Sequence, residues 1–243
     1  MAGRKPTAGA VVQALGIGIG LVAMVGGFVL LALQYRPYAV PTGSMEPTVM
    51  AGQTVLAEKV SGSEVGRGDV VVFKDTDWGN TAMVKRVIGV GGDTVKCCDT
   101  QGRVTVNGVP LDETYLDENP TIGRAGPADQ QFSATVPAGR LWLMGDNRSI
   151  SEDSRVHIDQ LGGTVPASAV VGRVEGVVFP VGSMHTIDRT AVFDTLPGGH
   201  AATDHGPLGL AAYAAVGGGA LVLITAGAGT VAGIVTRRRT REA

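Results

Sequence analysis

The stretch MVKRVIGVGGD, residues 83–93, decides how the middle of this chain is read. Its Val and Ile content and its closing Gly-Gly-Asp turn predict a strand from Met83 to about Val90. Alternation along a strand sends Lys85 and Arg86 to opposite faces and puts Lys85 on the face of Met83 and Val87. A lysine on an apolar face is rare unless it is paired. From the strand alone two readings are open. Lys85 guards a sheet edge against solvent, as lysine commonly does, or it is buried for its chemistry. GVGGDT is not a phosphate loop, because the closing Lys-Ser/Thr is absent.

Working outward, residues 38–182 hold further short segments of the same kind. TVLAEKV, DVVVFK, DTVKCCD, GRVTVNG, GRLWLMGD and AVVGRVEGVVF are rich in Val and bounded mostly by Gly, Asp or Asn. VNG followed by VPL marks a hairpin. No helical period is sustained in this region, and the 37 glycines of the chain favour turns. The expected fold is mostly β, either two packed sheets or a partly closed barrel. Residues 112–131 are polar and carry Pro and Gly, which predicts a surface excursion, and residues 183–207 read as a linker. Cys97 and Cys98 are adjacent, so an ordinary disulfide framework is excluded. Two ligands alone also make a poor zinc site. The plainer reading is that both fill a strand; a vicinal or intermolecular disulfide is the alternative in an oxidising compartment.

The ends differ from the middle. Between residues 8 and 33 the only strongly polar side chain is Gln13. That run exceeds the ~20 residues a helix needs to cross hydrocarbon. It is also longer than the about 7–15 residues of a cleaved signal peptide core, and LALQYRPY has no A-x-A exit. Residues 208–235 form a second uncharged, Gly- and Ala-rich run. Arg4 and Lys5 flank the first run and Arg237–Arg241 the second, so the positive-inside rule places residues 1–7 and 236–243 in the cytoplasm. Residues 38–182 then lie outside the cell membrane, as a domain between two transmembrane helices. Whether the helices touch cannot be read from sequence. A net charge of -2 and 5% aromatic residues exclude a nucleic-acid surface as a class.

Three further stretches stand out: PTGSMEPTV (41–49), RGDVVVF (67–73) and MGDNRSISEDSR (144–155). Ser44 lies between Gly43 and the turn-favouring Glu46-Pro47, where a serine is either turn filler or an exposed nucleophile. RGDVVVF alone is a turn feeding a buried strand. GDNRSISEDSR is either a hydrogen-bonded brace or a solvated loop. A histidine base is the rival chemistry; His157 is its one serious candidate, and no G-x-S-x-G elbow is present.

In order and spacing, these stretches resemble the boxes of bacterial type I signal peptidase, a family of membrane-anchored Ser/Lys proteases. The resemblance covers residues 38–179. The Gly/Ala content and basic tail suit an actinobacterial, high-GC Gram-positive host. The resemblance implies that Ser44 is the nucleophile and Lys85 the general base. It implies that the Thr42 hydroxyl and the Ser44 N–H form the oxyanion hole, and that Ser151 orients the lysine. Asp153 and Arg155 match a structural ion pair, and Gly145, Asp146, Asn147 and Arg148 match the supporting loop. Tyr38, Val40, Pro41, Met45 and Val84 fall where the family lines its substrate pockets. VHIDQLGGTVP (156–166) is longer than the family pattern, so the match around His157 is loose.

The resemblance reverses the plain reading of Lys85. At a reference pKa of about 10.4, only about one lysine in 10³ to 10⁴ is neutral at pH 7, and neutralising it costs roughly 4–5 kcal/mol. Burial lowers a lysine pKa by several units and removes most of that cost. The implied substrates are preprotein signal peptides with small residues before the cut, and the implied partners are the lipid bilayer and the secretion translocon. No cofactor, metal or nucleic acid is implied. The alternative from another class is a membrane-tethered, non-catalytic β domain that binds peptides or the secretion machinery. Self-cleaving repressors share the Ser/Lys chemistry but are cytoplasmic and carry a DNA-binding domain.

Overall fold

The computed structural model describes residues 7–116, 131–187, 190–198 and 208–239, with side chains of the last helix described as far as residue 230. Arg4 and Lys5, most of the 112–131 excursion, His200, His205 and the basic tail's side chains lie outside the described residues. The chain divides into two units, Met1–Gln34 with Pro207–Ala243, and Tyr35–Gly206.

The first unit is a pair of helices, α1 (Ala8–Gln34) and α2 (Leu208–Arg239). Both are long and apolar enough to cross a membrane. Only 11% and 17% of their most apolar windows are buried, unlike the core helix of a soluble protein. They run antiparallel and meet through small residues, which let the two backbones approach closely. A Cβ on Gly27 would stand 2.7 Å from the Ala211 carbonyl oxygen, and one on Gly20 2.8 Å from that of Gly218. Gln13 lies against Gly229, where any side chain would collide with it. The spans therefore touch, which the sequence left open.

The second unit is all β apart from short 3₁₀ turns among its described residues. Its strands are β1 (Tyr35–Ala39), β2 (Thr54–Glu58), β3 (Val70–Lys74), β4 (Ala82–Val90), β5 (Thr94–Cys97) and β6 (Val104–Val106). They continue with β7 (Val109–Pro110), β8 (Phe132–Thr135), β9 (Arg140–Met144), β10 (Val165–Pro166), β11 (Val170–Phe179) and β12 (His185–Thr186). A curled eight-stranded sheet has the order β1-β2-β11-β3-β4-β9-β10, with β12 on β11; a four-stranded sheet has the order β7-β6-β5-β8. Every pairing is antiparallel. The expected VNG hairpin joins β6 to β7, with Asn107 and Gly108 at φ 55° and 81° carrying the turn.

The two sheets join at GVGGD. Asp93 accepts from Arg67 Nε at 2.7 Å, Asn107 Nδ2 at 2.8 Å and the Val90 N–H at 2.8 Å. Burial works against the Asp93 carboxylate, but these donors outweigh it and hold its pKa below the usual range. RGDVVVF is therefore more than a turn: its arginine locks the corner from which β5 leaves β4. Two expectations change. Residues 183–207 are not simply a linker, since β12 pairs with β11 and Ile187, Phe193 and Leu196 are core side chains. These apolar residues are too sparse among Gly, Pro and polar neighbours to give a periodic signal. Cys97 and Cys98 are not plain strand fillers but are joined to each other at the end of β5.

The helix pairing has a direct check. The Cβ of a side chain at Gly16 would lie 3.3 Å from Thr225 Cβ, close to disulfide spacing, whereas nothing lies within 4 Å at Gly18. Gly16→Cys with Thr225→Cys is expected to cross-link within one chain on mild oxidation in membranes. Gly18→Cys with Thr225→Cys is not, as read by mass spectrometry after proteolysis between the spans.

Candidate active site

The strand β4 is buried on both faces, and its two adjacent basic residues are spent on opposite sides. Lys85 is 4% exposed and Arg86 2%. Lys85 Nζ donates to Ser44 Oγ at 2.9 Å. Burial is the main influence on Lys85 and lowers its pKa; Asp153, Asp146 and Glu152 pull the other way without cancelling it. The nucleophile and base predicted from sequence are thus in contact, and the base is desolvated as a neutral amine requires.

Ser44 sits in the turn between β1 and β2. The turn is closed by Glu46 N–H to the Gly43 carbonyl at 3.1 Å and by Val49 N–H to the Met45 carbonyl at 2.9 Å. Met45 and Val49 are fully buried beneath it, which leaves Ser44 on the upper side. The Thr42 hydroxyl donates to Ser44 Oγ at 3.4 Å, so the expected oxyanion residue stands beside the nucleophile.

The loop 145–155 braces this turn from the end of β9. Asn147 N–H donates to the Ser44 carbonyl at 3.1 Å. Gly145 must be glycine, because a Cβ there would overlap the Ser44 carbonyl oxygen and the Ser151 hydroxyl. Asp153 is completely buried and is gripped by Arg155 through two bonds of 2.8 Å and by the Gly145 N–H at 3.0 Å. Burial raises the Asp153 pKa, but Arg155 and the Gly145 N–H prevail and keep the carboxyl below its usual range.

On the other face of β4, Arg86 forks onto Asp146 at 2.8 and 2.6 Å and donates to the Gly68 carbonyl at 2.9 Å. Thr48, from the Ser44 turn, donates to the same Asp146 at 2.5 Å. Arg148 donates through Nε to the Gly145 carbonyl at 3.0 Å and through both terminal nitrogens to Glu113.

Most of the predicted residues therefore converge, with exceptions. Ser151 is buried beside Gly145, but its hydroxyl makes no bond to Lys85. Of the expected pocket residues, Pro41 is exposed, Tyr38 is half-buried, and Val40 and Val84 are mostly core. Met45 is at 0% exposure and offers no side-chain surface to a ligand, because it is the plug under the turn. His157 stacks on Trp78 with ring centroids 4.2 Å apart and faces Gln160, not Ser44. His185 meets the Thr48 and Ser183 carbonyls. Sequence reasoning missed Arg86, Thr48, Glu113 and Tyr115. The rule that flagged Lys85 applied equally to Arg86; nothing in the polar stretch around Glu113 marked it. Among the described residues no group of three or more His, Cys, Asp or Glu is arranged to hold a metal.

Residues 10–179 match the family model described as signal peptidase, peptidase S26. The chain is 35% identical over 211 residues to a signal peptidase I of Mycobacterium tuberculosis, covering 67% of this chain and 71% of that one. It is 33% identical to a signal peptidase I of Bacillus licheniformis, covering 69% and 89%. A crystal structure of a signal peptidase I from Enterococcus faecalis V583 is similar at 31% identity and TM-score 0.36, covering 44% of this chain and 93% of that one.

The buried lysine has a stability signature. Between its lowered pKa and the reference value of about 10.4, the unfolded chain binds one more proton than the folded chain. Its stabilising share is therefore complete above about pH 10.4 and is lost as pH falls through the folded pKa. Lys85→Met is expected to stabilise the protein at pH 7 by about 1–3 kcal/mol and to flatten that slope, read by denaturant unfolding from pH 6 to 10. Gly145→Ala is expected to cost about 1–3 kcal/mol in the same assay through overpacking.

Proposed function

The chain belongs to the signal peptidase family, peptidase S26, and from that premise we propose that it is a membrane-anchored serine endopeptidase cutting preproteins by a Ser44/Lys85 mechanism. Its activity is removal of signal peptides by a serine protease. The observation that carries the finer reading is the 2.9 Å bond between Lys85 Nζ and Ser44 Oγ at a lysine with almost no solvent contact.

In this mechanism neutral Lys85 takes the proton of Ser44 Oγ as that oxygen attacks the scissile carbonyl. Developing charge on the carbonyl oxygen is met by the Ser44 N–H and the Thr42 hydroxyl. The C–N bond breaks, Lys85 returns the proton to the leaving amine, and an ester joins the signal peptide to Ser44. Water then gives a proton to Lys85, attacks the ester and releases the fragment, restoring the Ser44 hydroxyl. Ser151 is the residue proposed to orient the lysine amine; in this structure its hydroxyl lies buried beside Gly145 and is not bonded to Lys85.

The substrate is an extended segment with small residues before the cut, in the A-x-A pattern, bound by adding a strand to the sheet. With both helices in the cell membrane and both termini cytoplasmic, enzyme and signal peptide share one bilayer near the translocon. That raises their effective concentration without new contacts.

The test is cleavage of a purified preprotein by the full chain in vesicles. Ser44→Ala and Lys85→Ala are each expected to lose about 10³-fold or more in rate, while His157→Ala keeps it. The rate should climb with pH along an acid limb whose apparent pKa lies below the lysine reference of about 10.4. Full activity in Lys85→Ala would sink the dyad, and loss in His157→Ala alone would favour a histidine base.

A further inference from the structure

Three segments must stay in register for this site to work: the Ser44 turn, the β4 strand and the loop 145–155. Each sends a polar side chain to one buried cluster on the side of β4 away from Lys85. Thr48 comes from the turn, Arg86 from the strand, and Asp146 and Arg148 from the loop. The cluster is roofed by a fourth segment that no sequence motif fixed, residues 111–116, just after β7. Glu113 is buried and takes both terminal nitrogens of Arg148, with Nη1 at 2.9 Å. The Tyr115 hydroxyl donates to the same carboxylate at 2.5 Å. The face of the Tyr115 ring lies 4.1 Å from the Arg86 guanidinium carbon, a cation–π contact.

The charges explain why this roof is needed. Asp146 pairs with Arg86, so Glu113 is the counter-charge of Arg148. Removing one partner of a buried pair leaves the other uncompensated, and it moves to find water. Arg148 cannot move alone, because its Nε holds the Gly145 carbonyl. Two residues further on, Asn147 holds the Ser44 carbonyl through its N–H. Arg86 follows Lys85 directly in β4 and is held flat between Asp146 and the Tyr115 ring.

We propose that Glu113 and Tyr115 are positioning residues of the cleavage reaction. Glu113 fixes the loop that holds the Ser44 carbonyl, and Tyr115 fixes Arg86 and with it the strand that carries Lys85. Neither touches the reacting atoms. This rests on the Ser44/Lys85 reading and adds to it two residues from the 112–131 excursion.

The experiment compares preprotein cleavage by full-length wild type, Tyr115→Phe, Tyr115→Ala, Glu113→Gln and Ser44→Ala in vesicles, well below each variant's Tm. Displacement of reacting groups by about an ångström costs up to about 100-fold in rate. Tyr115→Ala and Glu113→Gln are therefore expected to lose about 10- to 100-fold in kcat, with KM within about threefold. Tyr115→Phe keeps the ring over Arg86 and is expected to recover to within about fivefold of wild type. A role in folding alone would lower Tm in both Tyr115→Ala and Glu113→Gln but leave kcat per folded molecule unchanged. If Tyr115→Ala does not fold, Glu113→Gln, which exchanges one oxygen for an amide nitrogen, carries the test. Values of kcat within twofold of wild type in the folded variants, with Ser44→Ala inactive, would overturn the positioning role and leave the dyad standing. Activity in Ser44→Ala would overturn both.

Discussion

A lysine amine taken out of water and bonded to a serine hydroxyl is the constraint from which the rest of the domain follows. Such an amine is unfavourable as a cation, because burial withdraws the hydration that stabilises charge. It is useful for the same reason. In water the amine would hold its proton up to about pH 10.4 and could not accept another. The curled sheet supplies the withdrawal from solvent: β3 and β9 flank β4, with Val71 opposite Lys85 and Met144 opposite Arg86. A lysine on an edge strand would have one open side. Here the strand is interior, and the guard reading of Lys85 fails on topology.

An interior strand with two adjacent basic residues has a second problem. If one face takes the lysine, the other must take the arginine, and a guanidinium does not give up its proton. The fold therefore brings Asp146 beneath Arg86 with a forked pair of bonds and covers the outer face with Tyr115. The supporting loop matters for this reason as much as for its touch on Ser44. MGDNRSISEDSR is a brace on both sides of β4: Asp146 and Arg148 serve the arginine side, and Gly145, Ser151 and Asp153 the lysine side. Gly145 is the point where the sides meet, at a spacing that admits no Cβ.

Much of this was legible in the sequence, because the relevant signals are local. The alternation of β4, the VNG turn, the two apolar runs and the order of the motifs each depend on a few neighbouring residues. Other features were hidden because they are made by residues far apart. The Arg67–Asp93 lock joins two motifs that look separate in the chain. Glu113 and Tyr115 sit in a polar stretch whose composition predicts exposure, yet Glu113 is buried because Arg148 arrives opposite it. Ile187, Phe193 and Leu196 are isolated apolar residues among polar ones, so no periodicity shows that they join the core. Met45 illustrates the reverse error. The resemblance put it among the pocket residues, whereas the turn needs a buried plug below Ser44.

The arrangement of ion pairs assists burial in keeping the lysine neutral. Asp153 and Asp146 both lie close enough to raise the Lys85 pKa, and two unpaired carboxylates would draw the amine back to its charged form. Each is instead spent on an arginine, Asp153 on Arg155 and Asp146 on Arg86. Arg155 also acts on the lysine directly and lowers its pKa. Arg155 thus offsets part of the pull of Asp153, while Asp146 and Glu152 still raise the lysine pKa and burial outweighs them. Two carboxylates can then brace the loop through hydrogen bonds while burial still keeps the lysine pKa lowered. On that logic Arg155 helps keep Lys85 neutral as well as holding Asp153 and the loop in place. It also makes sense of why a site whose proposed base must be uncharged is surrounded by so many charged residues.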